Sequence, residues 1–256
     1  MSLLNSLFTS LTEKTNKSWR LYNFFSKTLP TPTRNVRGVG IKVIIPLHQE
    51  GVWTSFKKWE SREVETLDWI DTFEPSSVFF DVGASFGNET LYAALKAHGP
   101  RDIVCFDIDL LSSYNLACNI AINNIKNVTQ YYLPLGSGHD IMTAAEPTQY
   151  LALASQGVAK INYNLFTISL DEFIEKTSKH PTYIKIDVDG AEVHVLRGME
   201  NTLKNVELKS LLIEVSRETE DEVIGILARN NFEKTFSTPY VGHTNTSNII
   251  FCRKAV

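Results

Sequence analysis

Residues 78–95, VFFDVGASFGNETLYAAL, set the architecture of the chain. An apolar run of strand character, Val78–Phe80, meets an acid at Asp81. Glycines then stand four apart at Gly83 and Gly87, and apolar residues resume at helical spacing through Leu95. Strand, tight glycine turn and helix in that order open a βαβ unit, and the turn is where such a unit holds a ligand.

Beyond this stretch the rhythm repeats. DIVCFD (102–107) reads as a second strand, followed by a helix over about 111–124, and VTQYYLPL (128–135) as a third strand. Residues 136–165 are polar and broken, with a short helix expected near TQYLALAS. LDEFIEK (170–176) reads as helix, TYIKIDV (182–188) as the fourth strand, 192–203 as helix, KSLLIEV (209–215) as the fifth strand and EDEVIGILARN (220–230) as helix. NFEKTFST and SNIIFCRK read as a terminal antiparallel pair. Continuous apolar strands alternating with helices mark an α/β fold, a mostly parallel Rossmann-like sheet covered on both faces. Upstream, Leu3, Leu4, Leu7, Phe8, Leu11 and then Trp19 to Leu29 predict one or two amphipathic helices packed over the core. PTPTRNVRG (30–38) reads as a linker, VGIKVIIPL (39–47) as a strand or hairpin arm, and SREVETLDWIDTF (61–73) as a helix with Val64, Leu67 and Ile70 on one face.

Bulk properties narrow the class. A chain of 256 residues, 43% hydrophobic, can bury a full core. A formal charge of -4 argues against non-specific nucleic-acid binding, DNA included, and against RNA as a partner. Cys105, Cys118 and Cys252 are far apart and form no CxxC pair, which fits small buried hydrophobes in a reducing, cytoplasmic setting. No apolar run approaches the roughly 20 residues of a membrane span, and the N-terminus shows no pattern of a secretory leader.

In a sheet of this kind the ligand lies beyond the carboxyl ends of the strands. Those ends carry Asp81, Gly83, Ala84, Ser85 and Gly87, then Asp107 and Asp109, then Leu135, Gly136 and Ser137, then Asp187 and Asp189, and finally Glu214. Any one of these acids can be a helix cap or a partner of Lys185; an acidic rim built from four strand ends is harder to explain that way. A dinucleotide fingerprint needs a middle glycine so that backbone can approach a pyrophosphate, and Phe86 stands in this turn instead. No G-x-x-x-x-G-K-[ST] run is present. Asp107 falls 26 residues after Asp81, where an acid grips a ribose diol. A phosphate-free adenosine ligand bearing an ammonium and a sulfonium, S-adenosyl-L-methionine, fits these features.

With those residues in view, the sequence resembles the FkbM-type family of S-adenosylmethionine-dependent methyltransferases. FFDVGASFGNETLYAAL is similar to its first motif, IVCFDIDLLSSYNLACNIAINNIKNV, with Asn119, Asn124 and Asn127, to its second, TISLDEFI to its short T-L-D-E segment, and YIKIDVDGAEVHVLRGME to its I-K-[IL]-D-[VI]-E-G-[AY]-E run. The resemblance covers roughly residues 60–253 and implies a seven-stranded class I methyltransferase sheet with an antiparallel last strand. The expected organisation is an N-terminal extension over 1–60, able to act as a lid, and a methyltransferase domain over 61–256. The resemblance further implies O-methylation of a hydroxyl on a sugar, glycolipid or related metabolite. It assigns the Asp81–Gly87 loop to the methionine moiety, Asp107 to the ribose, Leu135–Ser137 (with Gly136) to the adenine side, and Glu65 to closure over the donor. Asp107 and Ile108 stand where the family has Glu and Pro, and Asp189 where it has Glu; the charges persist with one methylene fewer.

Methyl transfer to an alcohol needs alignment and a base for the leaving proton. Asp187, Asp189, Glu192 and His243 are the candidates, with His48 weaker; Glu192 also suits a capping role and both histidines suit ordinary surface positions. Asp187, Asp189 and Glu214 offer hard oxygen donors of the kind Mg²⁺ takes, although the sequence favours a metal-free site. Zinc lacks its ligands. Aromatic residues from Trp53 to Trp59 and from Tyr131 to Phe166 are candidates for a lid and an acceptor wall. An RNA methyltransferase, and a non-catalytic donor-binding scaffold on the same fold, are the alternatives carried forward.

Overall fold

The computed structural model describes residues 31–44, 50–147, 160–240 and 245–254. The helices expected before residue 30, the TQYLALAS helix, His48 and His243 lie outside them. The chain divides into two compact units, Met1–Thr33 and Arg34–Val256, of which the second carries the sheet and its cleft. No helix among the described residues is long and apolar enough to cross a membrane.

The central strand is β3 (Val78–Val82), preceded by β1 (Thr33–Val36) and β2 (Val39–Lys42). Then come β4 (Asp102–Asp107), β5 (Val128–Tyr132), β6 (Asp140–Pro147), β7 (Lys160–Thr167), β8 (Tyr183–Ile186), β9 (Ser210–Ser216), β10 (Phe232–Ser237) and β11 (Thr246–Arg253). One seven-stranded sheet runs in the order β10-β11-β9-β8-β3-β4-β5. β3, β4, β5, β8 and β9 are mutually parallel, and β11 is antiparallel to both β9 and β10. The fold expectation holds, including the antiparallel final strand.

Period-two alternation sets which side chains reach which face. In β3, Val78, Phe80 and Val82 enter one core with Ile184, Ile186, Ile213 and Val215. Phe79 enters the opposite core with Tyr183 and Leu212. Both phenylalanines are fully buried, each contributing about 1.5–3 kcal/mol relative to exposure. The second face receives Asp81 and Lys185, which are direct register partners, and, on the next strand β9, Glu214 opposite Asn248 of β11. A polar stripe therefore crosses an otherwise apolar face at the carboxyl ends of β3, β8 and β9 and the amino end of the antiparallel β11.

That face is covered by α1 (Glu50–Arg62), α2 (Val64–Asp71), α3 (Asn88–Leu95) and α4 (Leu110–Ile122), and α5 (Leu170–Thr177), α6 (Glu192–Arg197), α7 (Glu200–Lys204) and α8 (Glu220–Arg229) complete the helices among the described residues. The helix expected over 61–73 is broken at Glu63, where α1 ends and α2 begins. The expected linker over 30–38 forms β1 and a tight turn at Arg37 and Gly38, both at positive φ, as a two-residue hairpin requires. Val36, Ile41, Val43, Phe56 and Trp59 then pack into the second core. Asn119 and Asn123 bind the edge of β2 through Ile44 N–H to Asn119 Oδ1 (2.7 Å) and Lys42 N–H to Asn123 Oδ1 (2.9 Å).

The segment read as broken over 136–165 contains an antiparallel arm. β6 and β7 pair in register from Asp140↔Thr167 to Pro147↔Lys160. The arm is tied at its base by Gly136 N–H to Ile168 O (2.9 Å) and by Thr167 Oγ1 donating to Gly138 O (2.6 Å).

Candidate active site

Chain order reverses between β3 and β8: from β3 the chain proceeds to β4 and β5 on one side, and later to β8 and β9 on the other. At that switch point lies a cleft of about 700 Å³. Its floor is the β3–α3 loop. Gly83 N–H and Ala84 N–H both donate to Phe106 O (2.9 and 3.0 Å), which pins the loop against β4. Gly83 has φ +85, and a Cβ there would fall 1.7 Å from the backbone oxygen of Asp187. Only glycine lets the loops after β3 and β8 approach this closely. Gly87, also at positive φ, sits against Leu116 of α4 and serves packing, not the cleft.

Asp107 closes the β4 end of the cleft. Its Oδ2 accepts from Ser85 N–H (2.6 Å) and its Oδ1 from Asp109 N–H (2.7 Å). These bonds aim the carboxylate along the loop and leave further lone pairs on both oxygens. Burial pushes its pKa up to about 6 against the pull of the two N–H donors. Ile108 lines the cleft beside it, and its carbonyl accepts from Tyr163 Oη of β7 (2.7 Å). Leu133, Pro134, Leu135 and, from the arm, Met142 and Tyr163 form an apolar wall.

At the other end stand Lys185, Asp187 and Asp189. Lys185 is 2% exposed and donates to Asp187 Oδ2 (2.7 Å). Carboxylate oxygens of Asp187, Asp189 and Glu214 lie within 4.8 Å of one another. Burial and then the neighbouring Asp187 charge raise Glu214 to about 7 and push Asp189 in the same direction. Three acids this close can accept a proton or hold a divalent cation.

Several expected site residues have other placements. Asp81 is fully buried beneath the loop; its Oδ2 accepts from Thr90 Oγ1 (2.6 Å), so it supports the cradle from below and does not line it. Glu65 turns to β11, where Asn248 Nδ2 donates to it (2.7 Å), and the break between α1 and α2 brings Arg62 and Glu63 to the cleft instead. Gly136 is wedged against Thr167, with its carbonyl oxygen 1.9 Å from where a Cβ on Gly198 would be, and Ser137 is exposed; neither lines the cleft. Glu192 is 2% exposed and its Oε1 accepts from Val188 and Gly190 N–H (3.3 and 3.0 Å), which holds the β8–α6 loop and leaves it unsuited as a base. Sequence reasoning missed Glu89, a buried carboxylate on the first turn of α3 that lines the cleft.

The cleft fits an adenosine-type donor. Its volume suits a ligand of that size, Asp107 lines it at the end of β4, and carboxylates outnumber cations where a phosphate would need the reverse. The family that the sequence matches agrees with this. The methyltransferase FkbM domain family matches residues 81–234. The hexuronic acid methyltransferase AglP of Haloferax volcanii is 25% identical over 142 residues, 54% of this chain and 56% of that protein. The chain thus spans about half the length of this curated relative. Among solved structures, methyltransferase FkbM from Methylobacillus flagellatus KT superposes with a TM-score of 0.52 at 15% identity, covering 82% of this chain and 56% of that one. A ribosomal protein L11 methylase from Lactobacillus delbrueckii subsp. bulgaricus gives 0.47 at 12% identity, covering 75% and 77%.

Proposed function

This chain belongs to the methyltransferase FkbM family, and on that basis we propose that it transfers a methyl group from S-adenosyl-L-methionine to a hydroxyl of a sugar or sugar-bearing metabolite. The observation that carries the donor half is the Asp107 carboxylate, fixed by two backbone N–H groups at the edge of the loop that turns at Gly83. The sugar half is supported by the hexuronic acid methyltransferase among its relatives.

The bound donor supplies a methyl group activated on a sulfonium. In this reading Asp107 holds the ribose diol and Leu133–Leu135 the adenine side, while Gly83 and Ala84 present their backbone to the methionine portion. Asp187, Asp189 and Glu214 receive the acceptor's proton, with Lys185 holding Asp187 in place. An in-line displacement gains most from such fixed positions, and the proton acceptor adds a further, smaller factor. Tyr163 and Met142, carried on the arm, help wall the acceptor's approach.

Donor affinity is expected to depend on pH through Asp107. Below about 6 its carboxyl is protonated and loses acceptor capacity, so its contribution to binding is lost as pH falls through that value. In Asp107→Asn the inflection disappears and affinity at neutral pH falls about tenfold; titration calorimetry across pH measures both.

The acceptor is tested with methyl-tritiated donor over cell extract separated into glycan, lipid and RNA fractions. Label in glycan or glycolipid is expected. Label in RNA alone transfers the reading to an RNA methyltransferase, and no label with intact donor binding leaves a non-catalytic module. Turnover is expected to survive EDTA; loss restored by Mg²⁺ assigns the three acids to a cation.

A further inference from the structure

The end of the cleft nearest α3 is out of electrostatic balance. Asp81, Glu89 and Asp187 surround one buried cation, Lys185, whose hydrogen bond goes to Asp187. Asp81 takes the Thr90 hydroxyl on one oxygen and has no partner on the other. Glu89 is 6% exposed and lines the cleft, yet among the described residues no side chain donates a hydrogen bond to it. Burial and the nearby Glu63 charge hold its pKa well above the usual carboxylate range. A carboxylate this buried costs free energy unless a cation or donors meet it. Arg62 and Glu63 face the same cleft from the α1–α2 junction, and Arg62 is exposed and only loosely paired, 3.7 Å from Glu63.

Resting on the donor reading above, we infer that Glu89 binds the α-ammonium of the donor's amino-acid head while Arg62 takes its α-carboxylate. An ammonium brings up to three N–H donors and a full charge to an acid that shares its one lysine with Asp81 and Asp187 and, among the described residues, receives no side-chain hydrogen bond. A sulfonium brings charge without a donor, and it does not account for a guanidinium at the same end. A zwitterionic head accounts for both signs. The pair therefore selects donors that carry an intact amino acid over bare adenosine thioethers.

Calorimetry on the full chain tests this with three ligands: S-adenosylmethionine, S-adenosylhomocysteine and 5′-deoxy-5′-methylthioadenosine, which lacks the amino-acid head. Glu89→Gln is expected to weaken the first two alike, by about 10- to 100-fold, and to leave the third within about twofold. Arg62→Gln, at an exposed position that tolerates substitution, is expected to show the same selectivity with a smaller loss. Equal loss for all three ligands in Glu89→Gln would assign Glu89 to the shape of the cleft, and loss for S-adenosylmethionine alone would assign it to the sulfonium; either overturns the inference. So does unchanged binding of all three. If the unmutated chain binds neither of the amino-acid-bearing ligands, the donor reading itself fails and takes this inference with it.

Discussion

Gly83→Val is expected to lower affinity for S-adenosylmethionine by about 100-fold or more in titration calorimetry. Two costs combine. Residue 83 sits at φ +85, which a β-branched residue adopts only with strain, and its Cβ would fall 1.7 Å from Asp187 O, a backbone atom that cannot rotate away. The loop after β3 and the loop after β8 must separate, and the bond from Asp187 N–H to Val82 O (2.9 Å) lies at the contact. Displacement by about 1 Å disturbs the cradle, the Ser85–Asp107 bond and the position of Asp187 together. Circular dichroism should still report the sheet. Binding retained within about tenfold would mean that the cradle does not hold the donor.

Lys185→Met is expected to cost about 3 kcal/mol of stability at neutral pH, read from the urea midpoint. The lysine is almost fully buried, and its removal leaves Asp81, Glu89 and Asp187 without their shared cation. The pH dependence carries a definite sign. Burial already raises Asp81 and Glu89, with Lys185 opposing the rise. A carboxyl whose folded pKa is raised favours the fold in acid and loses that contribution as pH climbs through the folded value. Without Lys185 both carboxyls rise further, so the variant's deficit should be smallest near about pH 4 and grow toward about pH 7. A deficit independent of pH would show that the lysine acts through packing of its stem alone.

Much of this is legible in the sequence where local chemistry governs the outcome. The alternation Val78, Phe80, Val82 against Phe79 identifies a strand buried on both faces, and the Gly83 turn follows from the glycine itself. Strand-end acids sort by position, which is why Asp107 is legible as a cleft residue and Asp187, Asp189 and Glu214 as neighbours. Placement fails where long-range geometry governs. Whether Glu63 or Glu65 faces the cleft depends on a helix break that shifts the face by about half a turn. The arm is hidden because its pairing is non-local: KINYNLFT does alternate, with Tyr163 and Leu165 on one face, but Asn162, Asn164 and the exposed Phe166 resemble loop. Asp81 reads as a ligand contact because a strand-end acid before a glycine turn is ordinarily at the surface of the cleft; here its alternation directs it inward to Thr90.

Whether the switch-point cleft holds a phosphate-free adenosine donor is decided by titrating the unmutated chain with S-adenosylmethionine and, separately, with NAD. One-to-one binding of S-adenosylmethionine is expected, with no heat from NAD at the same concentration. Binding of NAD in preference, or of neither ligand, would contradict the assignment of the cleft to that donor.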